Sequence, residues 1–276
     1  MKRLFLTAIT GITLMHAFAL GKPGNNLQLP ADTSRIKRSS IRLGFGEDAS
    51  TFNLHKERDT AVTIEAKPYP KFSFGLTFSR FDLGLATLVD NGSFTLSPQN
   101  DFLRYRSWKT SNVGFDVVQM GIRLSPNFKI YLSGGFDWTL IRLRENITIL
   151  PNEPVLTYRQ DNINYSKNRF SSSYLRIPLS FDFRTNENSD GKRAHFVFGP
   201  DAGFLLNGRV KQISHENGKQ KIDDDYHFTH FRYGGFVRMG YGDLGIFAKY
   251  YFNDMFENSP EQKGLKNFSF GFTLGF

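Results

Sequence analysis

The sequence has no cysteine in 276 residues. Disulfides and thiolate metal sites are thereby excluded, and so is the acylated N-terminal cysteine of a lipoprotein. Beyond the first twenty residues no segment approaches the roughly 18 apolar residues of a membrane-crossing helix, and mean hydropathy is −0.37. A basic run is missing as well. The net charge is +9, but the 35 Lys and Arg are scattered, and Lys2 and Arg3 alone supply two of the nine. Such scatter argues against nucleic acid and fits interior-facing residues and lipopolysaccharide contacts. The chain holds no Gly-x-Ser-x-Gly elbow, no phosphate-binding loop and no zinc-protease helix signature.

What is present is Phe, at 29 residues, and Gly, at 25. A membrane protein can carry many aromatics at negative mean hydropathy only if apolar and polar residues alternate. The N-terminus is a separate matter. Lys2 and Arg3 precede an apolar stretch from Leu4 to Leu20, interrupted by Thr7, Thr10, Thr13 and His16, and Ala17-Phe18-Ala19 is a small-x-small cleavage signal. Residues 1–19 read as a secretory signal peptide, since the run is too short and broken for an anchoring helix. Residues 20–39 read as a flexible periplasmic tail, and 40–276 as the folded domain.

Period-two alternation is clearest at the far end. Phe268, Phe270, Phe272, Leu274 and Phe276 are apolar, with Ser269, Gly271, Thr273 and Gly275 between them. This resembles the signal read by the outer-membrane assembly machinery. The same rhythm runs through 41–45, 62–64, 72–78, 118–124, 128–140, 175–183, 196–206, 231–241 and 244–252. Short connections (67–70, 125–127, 186–192 and the tight hairpin Gly242-Asp243) alternate with long ones (47–59, 85–112, 145–170, 211–226, 257–264). In lipid each unpaired backbone group costs several kcal/mol, so such a sheet must close on itself. The predicted fold is all-β: a transmembrane antiparallel up-and-down β-barrel of about ten strands, with eight as the alternative. It would lie in a Gram-negative outer membrane with its N-terminus periplasmic. Pro178 and Pro200 fall inside strands, where bulges would accommodate them.

The segment Tyr174-Leu175-Arg176-Ile177-Pro178-Leu179, the Gly-containing strand 196–206 and the strand ending at Phe276 together resemble the PorT-like outer-membrane β-barrel proteins of Bacteroidetes. The likeness covers about 170–276. It implies an integral outer-membrane barrel with no catalytic activity and no cofactor; some members of that family serve protein secretion.

If the Phe-rich face meets lipid, the opposite face carries Arg123, Lys129, Asp137, Arg176, Asp182, Arg184, Asp201, Arg232, Arg238 and Lys249, with Glu65. In a narrow barrel these form a buried ionic network that plugs the lumen; the alternative is a narrow channel favouring anions. A second cluster, Asp223-Asp224-Asp225-Tyr226-His227 with His230, closes an outer loop. Its bland reading is a solvated acidic loop. It could instead hold a divalent cation, and Asp225-x-His227 resembles the Asp-His pair of omptin proteases, although the second acidic pair they need is missing. The outer loops 85–112 and 145–170 carry Arg104, Tyr105, Arg106, Trp108, Tyr158, Arg159 and Tyr165, which suit contact with a protein or polysaccharide. The expectation is a non-enzymatic barrel, with a small-solute channel second and a rim hydrolase third. Expected partners are outer-membrane lipid and lipopolysaccharide, the barrel assembly machinery during biogenesis, and a protein reached through the outer loops.

Overall fold

In the computed structural model, residues 69–77 and 80–276 are described. The expected leader, tail and first two strands, and Glu65, lie outside them. The strands are β1 (Lys71–Leu76), β2 (Phe81–Asp90), β3 (Ser111–Ser125), β4 (Phe128–Arg142), β5 (Ile147–Ile149), β6 (Tyr158–Gln160), β7 (Tyr165–Arg184), β8 (Ala194–Ser214), β9 (Gly218–Asp224), β10 (Phe231–Tyr241), β11 (Leu244–Tyr251) and β12 (Leu265–Leu274). Eight of them close a ring in the order β2-β3-β4-β7-β8-β10-β11-β12, with β12 returning to β2 over ten residue pairs. Closure leaves these strands no unpaired edge in lipid.

Following paired residues once round from Phe128 leads through Phe183, Phe196, Met239, Ile246, Phe272, Leu83 and Val113, and returns to β4 at Trp138, ten residues further on. This offset tilts the strands. An eight-stranded barrel has an interior that side chains can fill. Gly84 and Gly271 face each other across the β2–β12 seam, and a Cβ on either would strike the opposing backbone. Only glycine permits that approach.

Alternation sets the two faces. Leu83, Met239, Ile246, Phe270 and Phe272 project outward and are 45–65 % exposed. The residues between them point into the lumen. Pro178 points into the lumen and Pro200 onto the outer wall, both without the expected bulge. Pro178 pairs with Asp201 and Phe181 with Phe198 in one unbroken register, and only the ladder positions between them are skipped. Bulges occur elsewhere, at Asp116/Val118 on β3 and Ser173/Tyr174 between β7 and β8.

Three expectations need correction. The segment from Leu85 was expected to be loop, but β2 continues to Asp90 and β3 begins at Ser111 rather than Val118. β1 and β2 pair the lower and upper parts of β3, so together they act as one bent strand. The expected loop 211–226 is mostly strand, because β8 runs to Ser214 and β9 folds back on it. Phe276 does not join the lipid-facing row. Gly275 has φ +79°, which breaks the alternation. The Phe276 ring then packs beside Gly240 and Gly245 and stacks on His195 at 4.9 Å.

The short connections share one end of the barrel. At the other end the long ones do not spread into solvent but fold into a cap. Phe102, Leu103, Ile147, Ile149, Leu156, Tyr226, Phe228 and Phe256 pack with Ile141, Phe170, Val210 and Leu265 of the ring strands in one buried cluster. Phe170 stacks on Phe228 at 4.7 Å and lies parallel to Phe256 at 6.0 Å. The hairpin β5–β6 is part of this cap.

Candidate functional site

The lumen holds the densest chemistry among the described residues. Alternation on β7 points Tyr174, Arg176 and Pro178 inward while Leu175, Ile177 and Leu179 face out, which explains the segment singled out in the sequence. Arg176 is 1 % exposed. Its Nε donates to Asp116 Oδ1 at 2.8 Å, its Nη2 lies 2.6 Å from the same oxygen, and its Nη1 donates to Asp82 at 2.8 Å. Space for the guanidinium comes from Gly114 on β3, where a Cβ would collide with it.

The other charges gather round these carboxylates. Asp82 also accepts from Arg238 at 2.8 Å and from Thr273 at 2.7 Å. Asp137 accepts from Arg232 at 2.5 Å, from Asn112 at 3.1 Å and from Lys249. Asp116 pairs with Arg80 at 3.3 Å. The Arg232 guanidinium lies between two aromatic rings, 3.7 Å from the Tyr174 centroid and 4.2 Å from that of Tyr251. Asp201 accepts from the Tyr251 hydroxyl at 3.3 Å. Nearer the short-turn end, Asp182 lies 3.3 Å from His195 and 3.8 Å from Arg184, while Lys129 and Arg80 lie over the Tyr131 ring.

Of the ten lumen residues expected from sequence, Asp137, Arg176, Arg232, Arg238 and Lys249 form the central group with Asp201 beside it. Lys129, Asp182 and Arg184 form the lower group. Arg123 is half-buried opposite Lys129. Sequence reasoning missed Arg80, Asp82 and Asp116, although Asp82 between Phe81 and Leu83 continued the period-two rhythm. Between this ionic layer and the cap, a cavity of about 20 Å³ lined by Tyr174, Arg232 and Tyr251 has room for a single water.

The acidic loop cluster comes apart. Asp223 pairs with Arg209 and accepts from Asn207 at 3.1 Å. Asp225 accepts from the backbone N–H of His227 at 3.0 Å and not from its ring. The His227 Nε2 lies 2.7 Å from the Glu153 carbonyl oxygen, and His230 pairs with Glu257. No group of three or more His, Cys, Asp or Glu able to hold a metal ion occurs among the described residues. The outer-loop residues are also largely engaged within the chain. Tyr105 shares its hydroxyl with Thr87 at 2.6 Å, Tyr158 stacks on Phe102 at 4.6 Å, Arg104 pairs with Asp101, and Arg159 and Tyr165 bond Asp161. Trp108 stays out, 88 % exposed.

A match to the family described as outer membrane protein beta-barrel domain covers residues 118–257, from the lower half of β3 to beyond β11. No curated protein and no solved structure matches the chain.

Proposed function

The chain belongs to the outer membrane protein beta-barrel domain family, and from that premise we propose that it is a non-enzymatic, non-conducting barrel, plugged by its own side chains, whose outer cap contacts a partner or surface. One observation carries this reading. Arg176 sits at 1 % exposure, bridging carboxylates of β2 and β3 from β7 within the lumen. A solute would have to break that bridge and the packed cap above it. The Asp225 carboxylate accepts from the His227 backbone N–H while the His227 ring lies on the Glu153 carbonyl, which supports the non-enzymatic reading over a rim hydrolase.

The finer assignment, a PorT-like protein acting as an accessory of protein secretion, rests on the Tyr174–Leu179 segment. A periplasmic N-terminus follows from placing the short turns on the periplasmic side, as bacterial barrels do. The test is planar-bilayer conductance of protein whose folding is verified by a mobility difference between unboiled and boiled samples. The plugged barrel gives no steady unitary current. A reproducible current favouring anions would replace this reading with that of a channel.

A further inference from the structure

Above the apolar belt four strands carry a row of cations. The β-ladder sets Arg142 on β4 opposite Arg169 on β7, Arg169 opposite Lys211 on β8, and Lys211 opposite Lys221 on β9. Like charges directly opposite one another destabilise a sheet, so folding alone gives no reason for such a row. Lys167 and Lys219 flank it, both across from Ile213. Arg106 joins it through its backbone N–H, which donates to the Arg142 carbonyl at 2.8 Å. The opposite faces of these strands, through Ile141, Phe170 and Val210, belong to the cap core, so the cations project away from the protein. Arg209 is paired with Asp223. No ion pair ties Arg169, Lys211, Lys219 or Lys221 to an acid among the described residues, and Arg169 Nε has no hydrogen-bond partner. Desolvation and then the neighbouring cations push the Lys167 and Lys211 ammonium groups below their usual range.

The position of the row in the membrane is as informative as its charge. On β4 the outward residues are Trp138, Leu140 and then Arg142, so the cations begin two residues, about 7 Å, beyond the last apolar side chain. On β8 the exposed Phe204 and Leu206 give way to Arg209 and Lys211. Trp108, two residues from Arg106, lines an apolar hollow on the outer wall with Leu83, Leu85 and Phe270, and tryptophan marks the headgroup level of a bilayer. From Arg142 to Lys221 the row crosses three strand spacings, about 14 Å.

We propose that the row Arg142–Arg169–Lys211–Lys221 binds the phosphate-bearing headgroup of outer-leaflet lipopolysaccharide. This rests on the orientation taken under the proposed function, with the cap outside the cell, but not on whether the lumen conducts. Phosphates of such a headgroup lie just above the hydrocarbon and spread laterally, which is where these cations stand. Arg supplies bidentate contacts and Lys a point charge.

The test uses the full chain in detergent, freed of bound lipid. Lipopolysaccharide, the same material dephosphorylated, and inorganic phosphate are compared by native mass spectrometry and by shift of the unfolding midpoint. Phosphorylated lipopolysaccharide is expected to bind, and the other two to bind at least tenfold more weakly. The triple variant R169Q/K211Q/K221Q should lose about a hundredfold in affinity, as three basic residues at an anionic surface would, while K263Q, outside the row, should change nothing. Both variants should keep the mobility difference of the folded barrel; if the triple variant does not, K211Q/K221Q replaces it, with about a thirtyfold loss expected. Equal binding of the dephosphorylated form, equal competition by inorganic phosphate, or undiminished binding by the variants overturns the proposal. Orientation is read separately. Because the chain has no cysteine, a thiol at K219C is unique, and its labelling by an impermeant reagent on intact cells must succeed.

Discussion

Arg176→Met is the sharpest test of the lumen. The side chain keeps an unbranched apolar stem and loses the charged guanidinium at its end, so the outcome depends on what each carboxylate retains. Asp137 keeps Arg232, Lys249 and Asn112. Asp82 keeps Arg238 and Thr273. Among the described residues Asp116 keeps Arg80 alone, at 3.3 Å, having lost the closer contacts at 2.6 and 2.8 Å. The uncompensated charge therefore falls on Asp116, which is 0 % exposed. Breaking a buried pair in this way costs about 3–5 kcal/mol. Removing both partners, in R176M/D116L, should recover at least about 2 kcal/mol of that, within the range of coupling between residues in contact. The assay is urea unfolding of barrels folded into lipid vesicles, followed by tryptophan emission and by gel mobility without boiling. If R176M lies within about 1 kcal/mol of the natural chain, or the double variant is no better than the single, the network is not what holds the lumen shut and the reasoning fails.

Two further outcomes are expected. Phe276→Ala removes a ring stacked on His195 and should cost roughly 1–3 kcal/mol of barrel stability, since the ring is only half-buried; an effect confined to assembly yield, with the unfolding midpoint unchanged, would mean that the residue serves only as a signal. At Asp161, burial acts to raise the carboxyl, but hydrogen bonds from Thr148, Arg159 and Tyr165 hold it below the usual carboxylate range. Its contribution to loop order is then complete above the unfolded value near about 4 and is lost as pH falls through the lower folded value. Hydrogen exchange in β5–β6 should accordingly rise below about pH 4, and in Asp161→Asn that step should disappear.

Much of the barrel could be read from the sequence because a lipid-facing sheet leaves a period-two record. Asp137, Arg176, Arg232, Arg238 and Lys249 were assigned to the lumen by parity alone, and the structure brings them together. Where parity breaks, the reading broke with it. The bulge at Asp116/Val118 shifts the rhythm on β3, and Asp116 was lost there. Asp82 lay between the expected strand 72–78 and the expected loop from Leu85, in a stretch assigned to neither, because β2 follows β1 with a change of register and not with a turn. A left-handed Gly275 turned Phe276 inward, which no pattern of apolar residues records. The cap was misjudged for another reason. Ile147, Ile149 and Leu156 were passed over among loop polar residues, although aliphatic side chains of that number need a core of their own.

The seam between β2 and β12 also fixes an order of events. Asp82 stands on the first strand of the ring, and the groups that bond it stand on β7, β10 and β12. Until the last strand meets the first, Asp82 lacks the Thr273 hydroxyl that β12 brings to it. Closing the seam therefore completes the bonding of Asp82 in the same step that removes the last unpaired edges of the ring.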